Sequence, residues 1–168
     1  MLAAPGLVTS VAQGHKVAAD SEVQKFYLGL GADKGLHGVA VAYAEPSEIL
    51  AKNAIRHLAD FKGKKLRIFA SEFQSAAFKK LGTNPVPMSP SDVMTAIQQG
   101  TLDASVAGVE LLSGLHFFDA AKYITMTNHA AIFYLVEVSK KWYDTLPADL
   151  QQIVDKDAAS VAQSLFKH

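Results

Sequence analysis

Apolar positions along the chain switch between spacings suited to helices and short runs suited to buried strands. Val23, Phe26, Tyr27 and Leu30 fall on one face of a helix predicted over 20–33, with Gly31 and Gly35 punctuating its end. Residues 37–43, His-Gly-Val-Ala-Val-Ala-Tyr, then read as a buried strand. Residues 46–61 are ambiguous: propensity favours helix from Pro46 to Ala51, but the apolar spacing is irregular. From residue 64 the signals sharpen. Lys65–Ala70 is a strand. Ser71 is a good N-cap, with Gln74 in the capping-box position. The helix that follows is expected to bury Phe73, Ala77, Phe78 and Leu81 and to stop at Gly82. Val86 lies in a short extended piece between Pro85 and Pro87.

Ser89-Pro90-Ser91-Asp92 supplies an N-cap, a proline at the first helical position and an acid in the first turn. The helix it opens carries Val93, Met94 and Ile97 and ends at Gly100. Leu102–Gly108 reads as a strand, 110–117 as a short helix or turn, Ala121–Met126 as extended, and 130–138 as a long β-branched and aromatic strand. A helix at Lys140–Trp142 follows, and Pro147 opens the last one, with Leu150, Ile153 and Val154 as its apolar stripe. Strands alternating with helices predict an α/β layer around a mainly parallel sheet.

Composition narrows the function classes. The chain has 168 residues, 49% of them apolar and 19% charged, enough for a real core and for one domain or somewhat more. Sixteen basic residues balance sixteen acidic ones, so the basic surplus typical of a nucleic-acid binder is missing. The absence of cysteine excludes disulfides, thiolate metal sites and a cysteine nucleophile. The most apolar runs, 39–43 and 130–136, have strand length and fall short of a membrane-spanning helix. The N-terminus lacks a basic segment followed by a long apolar stretch, so no signal peptide is expected: either the protein stays inside, or the chain begins downstream of its true start.

Candidate chemistry is sparse. His15, His37, His57, His116, His129 and His168 show no helical metal-ligand spacing, and no metal site is expected. Nucleophile-elbow, phosphate-loop and dinucleotide-loop signatures are absent, so no catalytic residue and no cofactor is assigned. Asp149 and Asp155 are read as carboxylates on a solvated helix face. Arg67 is the feature that asks for explanation, because it interrupts the apolar strand Leu66–Phe69 just before a capped helix. A guanidinium at a strand end, beside helix N-terminal N–H groups, suits a carboxylate ligand. In open α/β sheets ligands also collect outside the carboxyl ends of the strands. The residues alone leave a second reading open, an arginine paired with a local acid such as Glu72.

Five collinear segments between Ala54 and Asp157 carry a resemblance. They are Leu58–Arg67 (LADFKGKKLR), Leu81–Met88 (LGTNPVPM), Ser91–Asp103 (SDVMTAIQQGTLD), Ala121–His129 (AKYITMTNH) and Ser139–Pro147 (SKKWYDTLP). In order and spacing they resemble the solute-binding subunits of TRAP (tripartite ATP-independent periplasmic) transporters, the dicarboxylate-binding type. The resemblance implies an α/β, type II periplasmic-binding-protein-like architecture, with one lobe nearly complete and the other partial. It implies a non-enzymatic periplasmic receptor that closes over a small organic acid in an interlobe cleft and delivers it to TRAP membrane permease subunits. The family's carboxylate-pairing arginine falls on Arg67, and the implied ligand-binding set is Arg67, Phe69, Ser71, Ala107, Gly108 and Asn128.

Departures from the family pattern bear on the ligand. The stretch after Asp103 is Ala104-Ser105-Val106-Ala107-Gly108, without the asparagine often found there. Met94 replaces a usual tyrosine and Ala104 a usual glycine. A second basic residue seen in sugar-acid receptors would fall near Pro46–Ser47 and is absent. A smaller or more apolar pocket is expected, suited to a monocarboxylate, 2-oxo acid or aromatic acid. The chain is also shorter than a typical member, so a truncated chain is expected. Its residues 1–44 would form a partial first lobe and crossing strand, 45–130 the second lobe with Arg67, and 131–168 a hinge strand and returning helices. Apolar surface left bare would be compensated by self-association or by rearrangement of the ends. The competing expectation is a remnant of the family that keeps the fold and binds nothing. A small α/β enzyme lacks any nucleophile or base with the needed spacing.

Overall fold

A computed structural model describes residues 4–164, without the side chain of Gln163. In chain order the elements are α1 (Val11–Ala19), α2 (Ser21–Leu28), β1 (Leu36–Pro46), β2 (Glu48–Ala51), β3 (Lys65–Ile68), α3 (Glu72–Lys80), β4 (Asn84–Pro87), α4 (Pro90–Gln98), β5 (Ala104–Ala107), α5 (Val109–Gly114), β6 (Tyr123–Thr125), β7 (Ala131–Ser139), α6 (Lys140–Tyr143) and α7 (Ala148–Ser164). The residues divide into two compact units. One holds Pro46–Ala131 with Ala4–Val8, and the other holds Thr9–Glu45 and the chain from Ile132 onward.

The first unit is built on a five-stranded sheet in the order β4-β3-β5-β2-β6. β3 runs parallel to β4 and β5, whereas β2 runs antiparallel to β5 and β6. The sheet is therefore mixed, not mainly parallel as the alternation of elements predicts. The difference comes from β2, where propensity favours a helix over Pro46–Ala51. Ile49, Leu50 and Ala51 are each about fully buried, at 1% exposure, with β5 on one side and β6 on the other. A four-residue segment buried on both faces can satisfy its backbone groups through two neighbouring strands, and this tertiary gain outweighs a weak helical preference.

Period-two alternation divides the side chains of this sheet between two cores. Ile49, Leu66, Ile68 and Val106 pack with Phe61 and Phe78 on one face, the latter from α3. Leu50 and Ala107 pack with Val93 and Ile97 of α4, Leu112 of α5 and Phe117 on the other. α3 begins as expected: Ser71 Oγ accepts from Gln74 N at 3.4 Å. Gln74 does not complete the box with the Ser71 amide; its Oε1 accepts from Phe69 N at 3.3 Å. Gln74 is consequently buried and Phe73 is 62% exposed, so Phe73 leaves the predicted inward face while Phe78 is buried and Leu81 packs against the same core. Gly82 closes the helix at φ +80°, a left-handed conformation that a side chain would strain.

In the second unit β1 pairs with β7 in a two-stranded sheet. Ala40 and Ala42 of β1 pack on Ala158 and Ala162 of α7. α1, which the apolar spacing does not reveal, is capped by Ser10 and reaches β1 through Gly14, where an added Cβ would lie 2.4 Å from the Tyr43 ring. Leu150 and Ile153 of the predicted α7 stripe are 43% and 51% exposed. Asp155 is not a bare solvated acid: Tyr143 OH donates to its Oδ2 at 2.7 Å, and its Oδ1 lies 3.3 Å from His37 Nε2. The His37 ring stacks on Tyr143 with centroids 3.7 Å apart.

Candidate functional site

The carboxyl ends of β3, β4 and β5 lie along one edge of the five-stranded sheet, because these strands run parallel. The start of β2 and the end of β6 reach the same edge, because Glu48 pairs with Ala107 and Ile49 with Thr125 in antiparallel register. This edge receives every residue assigned to ligand binding: Arg67, Phe69 and Ser71 at the end of β3, Ala107 and Gly108 at the end of β5, and Asn128 beyond β6.

Arg67 is the penultimate residue of β3 and only 1% exposed. Its Nε donates to the Met88 carbonyl and its Nη1 to the Val106 carbonyl, each at 2.9 Å. The guanidinium carbon lies 4.5 Å from the centroid of the half-buried Phe69 ring, so a cation–π contact steadies one face of the fork. Burial pushes the guanidinium below its ordinary pKa, yet arginine remains protonated in proteins. Among the described residues no carboxylate forms an ion pair with it, and Glu72 in particular does not. Two of its five N–H donors are used by main-chain carbonyls. The result is a fixed, desolvated cation with hydrogen-bonding capacity to spare.

The backbone around Arg67 is arranged for close approach. Ser71 caps α3, which directs the first-turn N–H groups of that helix to this edge. Ala107 is fully buried, and Gly108 follows in extended conformation, φ −79° and ψ 159°, as the N-cap of α5. Asn128 is exposed and left-handed at φ 45°, a conformation that asparagine tolerates better than most residues. Its N–H donates to Glu48 Oε2 at 3.1 Å, and Thr127 N donates to the same oxygen.

Glu48 is the residue that sequence reading missed. It is 0% exposed, and its Oε1 has no hydrogen-bond partner among the described residues. Read as part of a helix, Glu48 is an ordinary surface acid; read as the head of the apolar run Ile49-Leu50-Ala51, it is an acid drawn into a sheet edge. His129 lies on the other side of the same corner. Its Nδ1 is 2.7 Å from Thr127 Oγ1, and its ring meets Phe78 edge-on at 5.4 Å. Burial drives its pKa down to about 4. No cluster of three or more His, Asp or Glu able to hold a metal occurs among the described residues. No helix among them is long and apolar enough to cross a membrane.

The chain is similar to known proteins in sequence and in fold. The sequence profile described as "Bacterial extracellular solute-binding protein, family 7" matches residues 1–168. The C4-dicarboxylate-binding periplasmic protein DctP of Vibrio cholerae is 33% identical over 118 residues, 70% of this chain and 36% of that protein. The 2,3-diketo-L-gulonate-binding periplasmic protein YiaO of Escherichia coli is 35% identical over 100 residues, 60% of this chain and 30% of its own length. A TRAP periplasmic solute-binding protein of Xanthobacter autotrophicus, solved with bound β-D-galacturonate, superposes with a TM-score of 0.88 at 26% identity, covering 97% of this chain and 54% of that one. One from Shewanella oneidensis, solved with bound succinate, has a TM-score of 0.88 at 21% identity, a likeness of fold. The chain thus spans about a third of these two curated relatives and about half of the solved ones.

Proposed function

Because this chain belongs to the bacterial extracellular solute-binding proteins of family 7, we propose that the edge around Arg67 receives the carboxylate of a small organic acid. The observation that carries the reading is a buried guanidinium with no acid beside it among the described residues. Desolvating a cation costs several kcal/mol unless an anion or a set of dipoles compensates, and two carbonyls supply only part of that. A carboxylate seated on the free side of the fork would supply the rest through two parallel N–H···O bonds. Phe69 would flank it, the first turn of α3 behind Ser71 and the N–H of Gly108 would add donors, and Asn128 would close the far side. The whole protein would work in the periplasm and hand its acid to the membrane subunits of a TRAP transporter. In support, relatives of this chain are periplasmic proteins whose names specify C4-dicarboxylates and 2,3-diketo-L-gulonate.

A structural role for Arg67 has one observation in its favour, the two bonds that already tie it to Met88 and Val106. Titration calorimetry with a panel of organic acids separates the readings. Arg67→Ala is expected to abolish binding or weaken it by about 2 kcal/mol or more, as for the loss of one partner of a desolvated charged pair. Arg67→Lys, which keeps the charge but not the planar fork, is expected to fall between. Circular dichroism on both variants controls for folding. Unchanged affinity in folded variants would remove Arg67 from the site and leave it as a clamp between β3, β5 and the chain after β4.

A further inference from the structure

Glu48 is a second charged side chain on the face of the sheet that carries Arg67. Arg67 pairs with Ser105 in parallel register, and Glu48 pairs with Ala107 in antiparallel register. Paired residues point to the same side of a sheet, as do residues two apart along a strand. Arg67, Ser105, Ala107 and Glu48 therefore share one face, with Leu50 and Ala107 of that face packed on α4 and α5. Two strand spacings, roughly 10 Å, separate the β3 and β2 backbones across β5, enough for a small acid between their side chains.

The Glu48 carboxylate is fixed and half satisfied. Oε2 accepts from the N–H groups of Thr127 and Asn128, which lock the carboxylate plane against the left-handed turn at Asn128. Oε1 has no partner among the described residues, although Glu48 is 0% exposed. A buried carboxylate oxygen without a donor is costly, and proteins retain such a group where something else supplies the donor. Across the same face stands Arg67, a cation with no ion-pair partner among the described residues. Glu48 and Arg67 thus stand on one face of the sheet, two strands apart.

We propose that Glu48 Oε1 accepts a hydrogen bond from the ligand and selects carboxylic acids that carry a hydroxyl or ammonium donor over acids that present a second carboxylate. The inference rests on the assignment of Arg67 as the carboxylate receptor. The acid enters with its carboxylate on the guanidinium and its donor on Glu48. A dicarboxylate would bring a second negative charge toward a buried carboxylate, and that repulsion is what discriminates against it. An acid without a donor would leave Oε1 unpaired, which is the costlier kind of mismatch for a polar site.

The test uses the 168-residue chain, ligand-observed NMR for weak binding and calorimetry for tighter binding. The probes are matched pairs that differ in donors: L-lactate against pyruvate, and D-galacturonate against cyclohexanecarboxylate, with succinate as the dicarboxylate. At least one donor-bearing member is expected to bind ten-fold or more tightly than its partner and than succinate. Glu48→Gln, which keeps the shape and two-oxygen-sized end group but removes the charge, is expected to shrink that preference to under three-fold and to improve succinate. If acids bind but donors make no difference, or if the preference survives in Glu48→Gln, the role of Glu48 is overturned while that of Arg67 stands. If no acid binds the unaltered chain, both assignments fail together. Should Glu48→Gln not fold, Glu48→Asp provides the second variant: it keeps the charge but draws the carboxylate back by one methylene, so the donor preference is expected to fall several-fold, and a preference unchanged in the folded variant would overturn the proposal.

Discussion

His129 shows how one side chain makes stability depend on pH. Its ring is enclosed by Phe78 and the Ser47–Thr127 corner, and burial lowers its pKa from 6.5 to about 4. The unfolded chain takes up a proton near pH 6.5 that the folded chain refuses until about pH 4. Its contribution is therefore complete above pH 6.5 and is lost as pH falls from there toward 4. By linkage the loss amounts to about 2 kcal/mol at pH 5 relative to pH 7.5. Urea unfolding at the two pH values measures it, and His129→Gln should flatten the dependence by that amount, whereas an equal slope in the variant would show that the ring protonates in the folded state. Spacing marks His129 as no metal ligand, but nothing in the sequence distinguishes it from the exposed His57 and His116, because its burial comes from α3 packing across the sheet. Arg67 is legible for the opposite reason: a charge inside a four-residue apolar strand contradicts its local pattern and has to be accommodated.

At the scale of elements, the contact between α1 and β1 rests on one missing side chain. Gly14 is buried in the middle of α1, a position where alanine would improve helix propensity by up to about 1 kcal/mol. A Cβ there would meet Cδ2 and Cε2 of Tyr43 at 2.4 Å, and Tyr43 is 2% exposed, held between His15 and Phe133. The ring has nowhere to go, so overpacking is expected to win. Gly14→Ala should destabilise the second unit by about 1–3 kcal/mol, read as a lower midpoint in thermal or chemical unfolding. A neutral or stabilising result would mean that α1 can lift from β1 at little cost. Elements that punctuate themselves, such as α3 between Ser71 and Gly82 or α4 after Ser89-Pro90, are written in their caps and can be read directly. β2 and α1 are not, because burial between two strands decides the first and a glycine pressed on an aromatic ring decides the second. Gln74 turns inward and Phe73 outward for a related reason: the Phe69 amide finds its acceptor in Gln74 Oε1.

For the whole molecule, alternation of helices and strands is enough to indicate an α/β fold, while strand direction depends on long-range pairing that period-two patterning does not encode. The location of the candidate site follows more directly, since parallel strands with helices behind them gather their carboxyl ends and the first turns of those helices at one edge. Its acidic half stays hidden because Glu48 depends on β2 being a strand. Charge balance sets a last property that belongs to no single element. Sixteen acidic and sixteen basic residues give a formal charge of zero at pH 7 and a pI near 7.0, so long-range repulsion between molecules is weakest at neutrality. Leu58, Phe73, Phe26 and Met126 are each more than 60% exposed and provide short-range attraction once that repulsion is gone. Solubility and the second virial coefficient from light scattering should therefore pass through a minimum near pH 7 and rise toward pH 9, an arm on which His129 stays neutral in both folded and unfolded chains. A coefficient that does not change between pH 7 and 9 would show that apolar contact outweighs net charge, and substitution of Leu58 or Phe73 by a charged residue should then raise it at both values.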